Sequence, residues 1–189
     1  MLELSFDPRD LQQFLVTYGV VPGDFHAVTL VTSMFLHASW SHILGNMWYL
    51  WIFGDNVEDR CGHGRFIVFY LLCGIAAAMG QVAMNSTSLL PTIGASGAIA
   101  GVMGAYFILY PQSRVLTLIP IFWLEIIEVP AIVLLGFWFL MQLFNAGAVA
   151  TTSGTGGGVA FAAHVAGFLV GMGGVFVFRK REPVPRWDA

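Results

Sequence analysis

Gly94-Ala95-Ser96-Gly97-Ala98-Ile99-Ala100-Gly101 lies near the start of an uncharged, mostly apolar run, residues 93–110, that stops at Pro111. Folded as a helix, such a run nearly crosses the hydrocarbon core of a bilayer, and its Gly97-xxx-Gly101 spacing lets a second backbone approach closely. Four more runs of this kind accompany it, at residues 39–53, 66–84, 130–145 and 159–178. Ser39 is suited to cap the first of them, and Pro130 suits a first helical turn. Composition agrees: 57% of the 189 residues are hydrophobic, 10% are charged and mean hydropathy is +0.76. A soluble domain carries about 25% charged residues, so there is too little charge here to coat a water-facing surface. The expected fold is an all-α polytopic membrane bundle with five transmembrane helices. Residues 1–38 form an external or interfacial segment, 39–178 the transmembrane domain, and 179–189 a cytoplasmic tail.

Two apolar stretches do not read as spans. Residues 28–37 are short and contain Thr29, Thr32 and Ser33, which suits an interfacial or re-entrant position. Residues 115–129 carry Pro120, Glu125 and Glu128 and read as an interfacial turn or hairpin. Residues 146–157, rich in Gly, Ser, Thr and Ala, read as a loop. Five spans place Arg60, Arg65, Arg114, Arg179, Lys180, Arg181 and Arg186 on one side and only Arg9 on the other. The positive-inside rule then puts the C-terminus in the cytoplasm. No cleavable signal peptide is visible, a net charge of −3 gives no reason to expect nucleic acid, and Cys61 and Cys73 form no metal-ligand spacing. No cofactor or metal is expected; the bilayer is the first partner.

Polar side chains at membrane depth are costly, so each needs a reason. His42, Asn46, Ser96 and His164 come from three spans, and alternation places all four near the external ends. Alone, the Ser96 segment reads as a small-residue packing face, and His164 as an interfacial histidine. Together they read differently. His164 is followed by Gly167 and Gly171, so two glycine-faced helices can bring a serine hydroxyl and an imidazole into hydrogen-bond reach. His42 and Asn46 stand at i and i+4 on one helix face; they either bond across helices for stability or donate to a developing oxyanion. None of the eleven acids lies in the external half of a span, so a Ser–His dyad is the economical reading, its neutral imidazole taking the serine proton. Phe137, Trp138, Phe139 and Phe144 could close a lateral gap against the first span, with residues 146–157 as a mobile cap.

Here the chain resembles a family. Gly94-Ala95-Ser96-Gly97 is similar to the GxSG of rhomboid intramembrane serine proteases, and Ala163-His164-Val165-Ala166-Gly167 with Gly171 to their AHxxGxxxG helix. His37-Ala38-Ser39-Trp40-Ser41-His42-Ile43-Leu44-Gly45-Asn46 resembles their HxxxxHxxxN segment, and Gly54-Asp55-Asn56-Val57-Glu58-Asp59-Arg60 their post-helix loop. The four occur in the family's order over about residues 20–180. The resemblance implies a bacterial inner-membrane endopeptidase that cleaves transmembrane protein substrates near their external ends. In it Ser96 is nucleophile, His164 base, His42 and Asn46 oxyanion donors, and His37 an auxiliary histidine. Two departures stand out. The family core has six helices against five here, so Met1-Leu2-Glu3-Leu4 reads as the stub of an absent first helix. Ala100 occupies the position where many relatives carry an aromatic that stacks on the histidine, so something else must hold the ring.

Other readings fit less well. A non-catalytic rhomboid-like client-binding protein predicts loss of Ser96 or His164, and both are present. A transporter would string its polar groups along a path near the midplane. A zinc protease needs a motif such as HExxH, and an intramembrane aspartyl protease needs two aspartates at membrane depth, where Asp55 stands alone.

Overall fold

The computed structural model describes residues 7–120, 124–151 and 159–180. The proposed stub at Met1–Leu4 and the tail beyond Lys180 lie outside these residues. The first described element was not expected from sequence: α1 (Pro8–Tyr18) starts at Asp7, whose carboxylate accepts the Arg9 N–H at 3.0 Å. Short turns follow at Pro22–Asp24, α2 (Thr29–Thr32) and Ser33–Phe35, in the region read as interfacial.

The bundle comprises α3 (Trp40–Cys61), α4 (His63–Met84), α5 (Ser96–Leu109), α6 (Ala131–Thr151) and α7 (Phe161–Phe178). Among the described residues α4, α6 over Ala131–Val149 and α7 are long and apolar enough to cross a membrane. Helix α3 is as long, but it carries Asp55, Glu58, Asp59 and Arg60 in its last turns, and α5 has only 14 residues. The expected capping of α3 is present, with Ser39 Oγ accepting the His42 N–H at 3.1 Å. That helix continues well past residue 53, because Val57 and Cys61 still face the core and are fully buried. Gly62, at φ +87°, is the single joint between α3 and α4; there a side chain would meet both strain and the Lys180 stem.

Helix α5 is the axis of the bundle: every residue from Gly97 to Tyr106 is buried. It packs against α7, α4, α3 and α6. Glycines on both helices set how close α5 and α7 come. A methyl on Gly167 would collide with the Gly97 carbonyl, one on Gly171 with the Gly101 carbonyl, and one on Gly104 with the Phe168 carbonyl. Lipid gives helices no hydrophobic reason to associate, so such close packing carries the cohesion. Below the glycines, Phe53, Phe69, Met103, Leu135 and Phe168 fill the core.

Two expectations are corrected. Residues 146–151 are not loop: Ala146, Gly147, Ala148 and their neighbours continue α6 to Thr151, while 152–157 fall outside the described residues. The second correction concerns Pro130, because the stretch read as an interfacial turn or hairpin is an antiparallel β-hairpin that runs up to it. Its strands β1 (Arg114–Pro120) and β2 (Leu124–Pro130) pair from Arg114↔Pro130 to Pro120↔Leu124. Pro130 therefore closes β2, and α6 starts one residue later.

Three helices are bonded to one another at one end of the bundle. The Lys180 N–H donates to the Arg60 carbonyl at 2.7 Å and its Nζ to the Asp59 carbonyl at 3.2 Å. The Tyr110 hydroxyl donates to the Asn56 carbonyl at 3.1 Å. The C-terminal ends of α3, α5 and α7 are thus clasped together, and their N-terminal ends share the opposite side.

Candidate active site

Ser96 is the first residue of α5, and His164 lies in the first turn of α7. Their helices meet through Gly97 and Gly167, and the result is a 2.8 Å hydrogen bond between Ser96 Oγ and His164 Nε2. His164 is only 8% exposed, so its ring edges must find partners within the protein. The other edge has one: Nδ1 lies 2.8 Å from Oε1 of Gln142 on α6. Trp138, one turn before Gln142, sets its ring 5.7 Å from the imidazole at 36°. Ala100, fully buried on α5, offers no ring.

Gly94 turns the chain into α5. At φ +119° it holds a conformation that favours glycine, and a Cβ there would lie 2.9 Å from His42 Nε2 and Cε1 and 3.8 Å from Ser96 Oγ. His42 and Ser96 therefore flank the same bare stretch of backbone. The Ala38 N–H donates to His42 Nδ1 at 3.3 Å, which leaves the ring hydrogen on Nε2, the atom facing Gly94. His37 packs edge-on against this ring, centroids 5.1 Å apart. Asn46 is buried one turn below and donates from Nδ2 to the His42 carbonyl at 3.0 Å; an amide NH₂ keeps a second hydrogen beyond that bond.

The segment 19–37 supports the loop ahead of Ser96. Val20 and Thr92 exchange backbone hydrogen bonds at 3.0 and 2.8 Å, the Gly23 N–H donates to the Ser88 carbonyl at 2.8 Å, and the Gly94 N–H to the Ser33 carbonyl at 2.9 Å. Irregular backbone near membrane depth requires such pairing. Beside Ser96 a cavity of about 30 Å³, lined in part by Ser33, Gly94 and Ala163, has room for a water.

All five sequence-derived candidates, Ser96, His164, His42, Asn46 and His37, lie at this end of the bundle. The gate reading does not hold for two aromatics: Trp138 turns toward His164 and Phe168, and Phe139 stacks on Phe168 at 4.7 Å. Phe137 and Phe144, on the other face of α6, are the exposed ones. Gln142 was missed because only acids were weighed as a third member. Its signal is plain once sought, since it is the one polar residue between positions 131 and 144. Among the described residues no group of three His, Cys, Asp or Glu side chains could hold a metal ion.

Helices this apolar, built around a small-residue axis with polar groups at one end, define a polytopic α-helical membrane protein. Residues 24–181 match the model of the Rhomboid domain, and the chain belongs to the rhomboid family. It is 27% identical over 166 residues to rhomboid protein 1, mitochondrial, of Saccharomyces cerevisiae, covering 85% of this chain and 45% of the relative. It is 31% identical over 188 residues to presenilin-associated rhomboid-like protein A, mitochondrial, of Danio rerio, covering 92% and 45%. With rhomboid protease GluP of Bacillus subtilis it shares 39% identity over 85 residues, covering 45% and 16%. The chain spans less than half the length of each of these relatives.

Proposed function

We propose that this protein is an intramembrane serine endopeptidase that cuts the transmembrane helices of membrane proteins near their external ends. The observation that carries this is the 2.8 Å bond between Ser96 Oγ and His164 Nε2, made at one end of a helix bundle of the rhomboid family. His164 Nε2 takes the hydroxyl proton as Ser96 Oγ attacks the scissile carbonyl carbon. The electron pair of the carbonyl moves onto its oxygen. His42 Nε2–H, facing Gly94, and the second Asn46 amide hydrogen serve as donors to that oxyanion, with His37 as an auxiliary that braces His42. The imidazolium then gives its proton to the leaving amine, and water hydrolyses the acyl-enzyme by the same steps in reverse order. Seven of the eight basic residues favour a cytoplasmic C-terminus, so the site opens outward; we assign the protein to a bacterial cell membrane.

The test is labelling of the purified protein with a fluorophosphonate beside cleavage of a model transmembrane substrate. Wild type should label and cleave, while Ser96→Ala and His164→Ala should do neither and still fold. Cleavage by either variant at the wild-type rate refutes the assignment.

A further inference from the structure

Gln142 plays no part in the steps above, yet its amide oxygen sits 2.8 Å from the edge of His164 that faces away from Ser96. A neutral imidazole carries one hydrogen. On Nε2, that hydrogen blocks transfer from the serine; on Nδ1, it leaves Nε2 as the acceptor. A base paired with a serine therefore needs something at Nδ1 that accepts a hydrogen bond and orients the ring. With His164 only 8% exposed, bulk water is a poor candidate. Among the described residues the polar side chains bonded to the His164 ring are Ser96 and Gln142, with no carboxylate, and a carboxylate in an apolar span would cost charge burial that an amide avoids. Gln142 Oε1 accepts but cannot donate, so the contact selects the Nδ1–H tautomer. Trp138 lies on the same face of α6, one turn away, with its ring against the imidazole. Its own ring is held in turn by Phe168, at 6.0 Å.

We infer that α6 is the positioning element for the base: Gln142 holds His164 in the tautomer that frees Nε2 for Ser96, and Trp138 braces the ring, a support that Ala100 cannot give. This rests on the Ser96–His164 reading above. It makes Gln142 a positioning residue, acting through His164 without touching substrate.

Gln142→Leu removes the acceptor at similar volume, and Gln142→Glu keeps an acceptor at the same reach. Each variant of the full chain is purified, its active fraction counted by fluorophosphonate titration, and kcat and KM measured on a transmembrane substrate. Gln142→Leu should lower kcat per titrated site about 10- to 100-fold, the consequence of leaving a buried N–H unpaired, with KM little changed. Gln142→Glu should recover kcat per titrated site to within about threefold of wild type, since a carboxyl oxygen accepts the same bond, while the cost of charge burial falls on stability and is set aside by counting active sites. A Gln142→Leu protein with wild-type kcat per site overturns the inference. So does a Gln142→Glu protein as impaired as Gln142→Leu, which would make Gln142 a space-filler. Ser96→Ala separates the two levels: if it still cleaves, the dyad reading fails and this inference with it; if it is inert while Gln142→Leu is normal, only the role of Gln142 fails.

Discussion

Adding one methyl at Gly167 tests whether the approach of α5 and α7 is what joins Ser96 to His164. Gly167 stands one turn beyond His164, and a Cβ built on it would collide with the Gly97 carbonyl oxygen while lying 3.1 Å from the Gly97 carbonyl carbon and 3.3 Å from Ala77 Cβ. Backbone on one side and a packed methyl on the other leave no flexible side chain to yield, so the helices must separate. The required retreat is about 1 Å, and a misplacement of that size at reacting groups costs about 100-fold in rate. The same retreat stretches the 2.8 Å Ser96–His164 contact past about 3.5 Å, where a hydrogen bond is lost. Overpacking of this kind costs about 1–3 kcal/mol in stability, enough to lower the thermal midpoint without unfolding the bundle. Gly167→Ala should therefore remain folded in detergent, melt earlier and label with fluorophosphonate about 100-fold more slowly. Gly173→Ala is the control on the same helix: nothing lies within 4 Å of its Cβ, and it should label like wild type. Wild-type labelling by Gly167→Ala would refute the reasoning, because the pair would then not depend on helix separation.

Three further outcomes follow from the same end of the molecule. Gly94→Ala must adopt φ +119° with its Cβ 2.9 Å from the His42 ring, so cleavage should fall by at least about tenfold, measured per folded protein; unchanged kcat would show that the ring shifts freely. Asn46→Ala should lower kcat about 10²- to 10³-fold if its amide serves the oxyanion, whereas a loss matched by the drop in thermal midpoint would make Asn46 a structural residue. Ser39→Ala removes the acceptor for the His42 N–H and should cost about 1 kcal/mol of stability, read in thermal melts, with a smaller effect on rate than His42→Ala.

Long apolar runs were legible because lipid leaves a chain few choices: residues 66–84 and 159–178 became α4 and α7 nearly as read. The Ser39 cap was legible for a local reason, a short hydroxyl side chain just ahead of the helix. Elements decided by tertiary contact were less so. Helix α3 outruns its apolar stretch because Val57 and Cys61 find the core, which no window of hydropathy can show. Helix α1 has a cap in Asp7, but it is a short amphipathic piece with no span-like run. At the candidate site, spacing brought Ser96 and His164 to one depth, and the structure finds them bonded. Gln142 escaped because its partner lies 22 residues away on another helix, and because a neutral amide does not announce itself as an acid does. The orientation of the His42 ring likewise depends on the Ala38 N–H, which only the turn before α3 supplies.

The clasp that ties Lys180 to Arg60 and Asp59 turns α7 into a lever with its pivot at the far end. His164 lies fourteen residues above Phe178, about 21 Å along the helix axis. A tilt of about 3° about that pivot carries the imidazole about 1 Å sideways, and bilayers of different thickness impose tilts of that order on spanning helices. A tilt of α7 relative to α5, and not of the bundle as a whole, would therefore reach the Ser96–His164 distance, with the contact between Gly97 and Gly167 as the stop against closer approach.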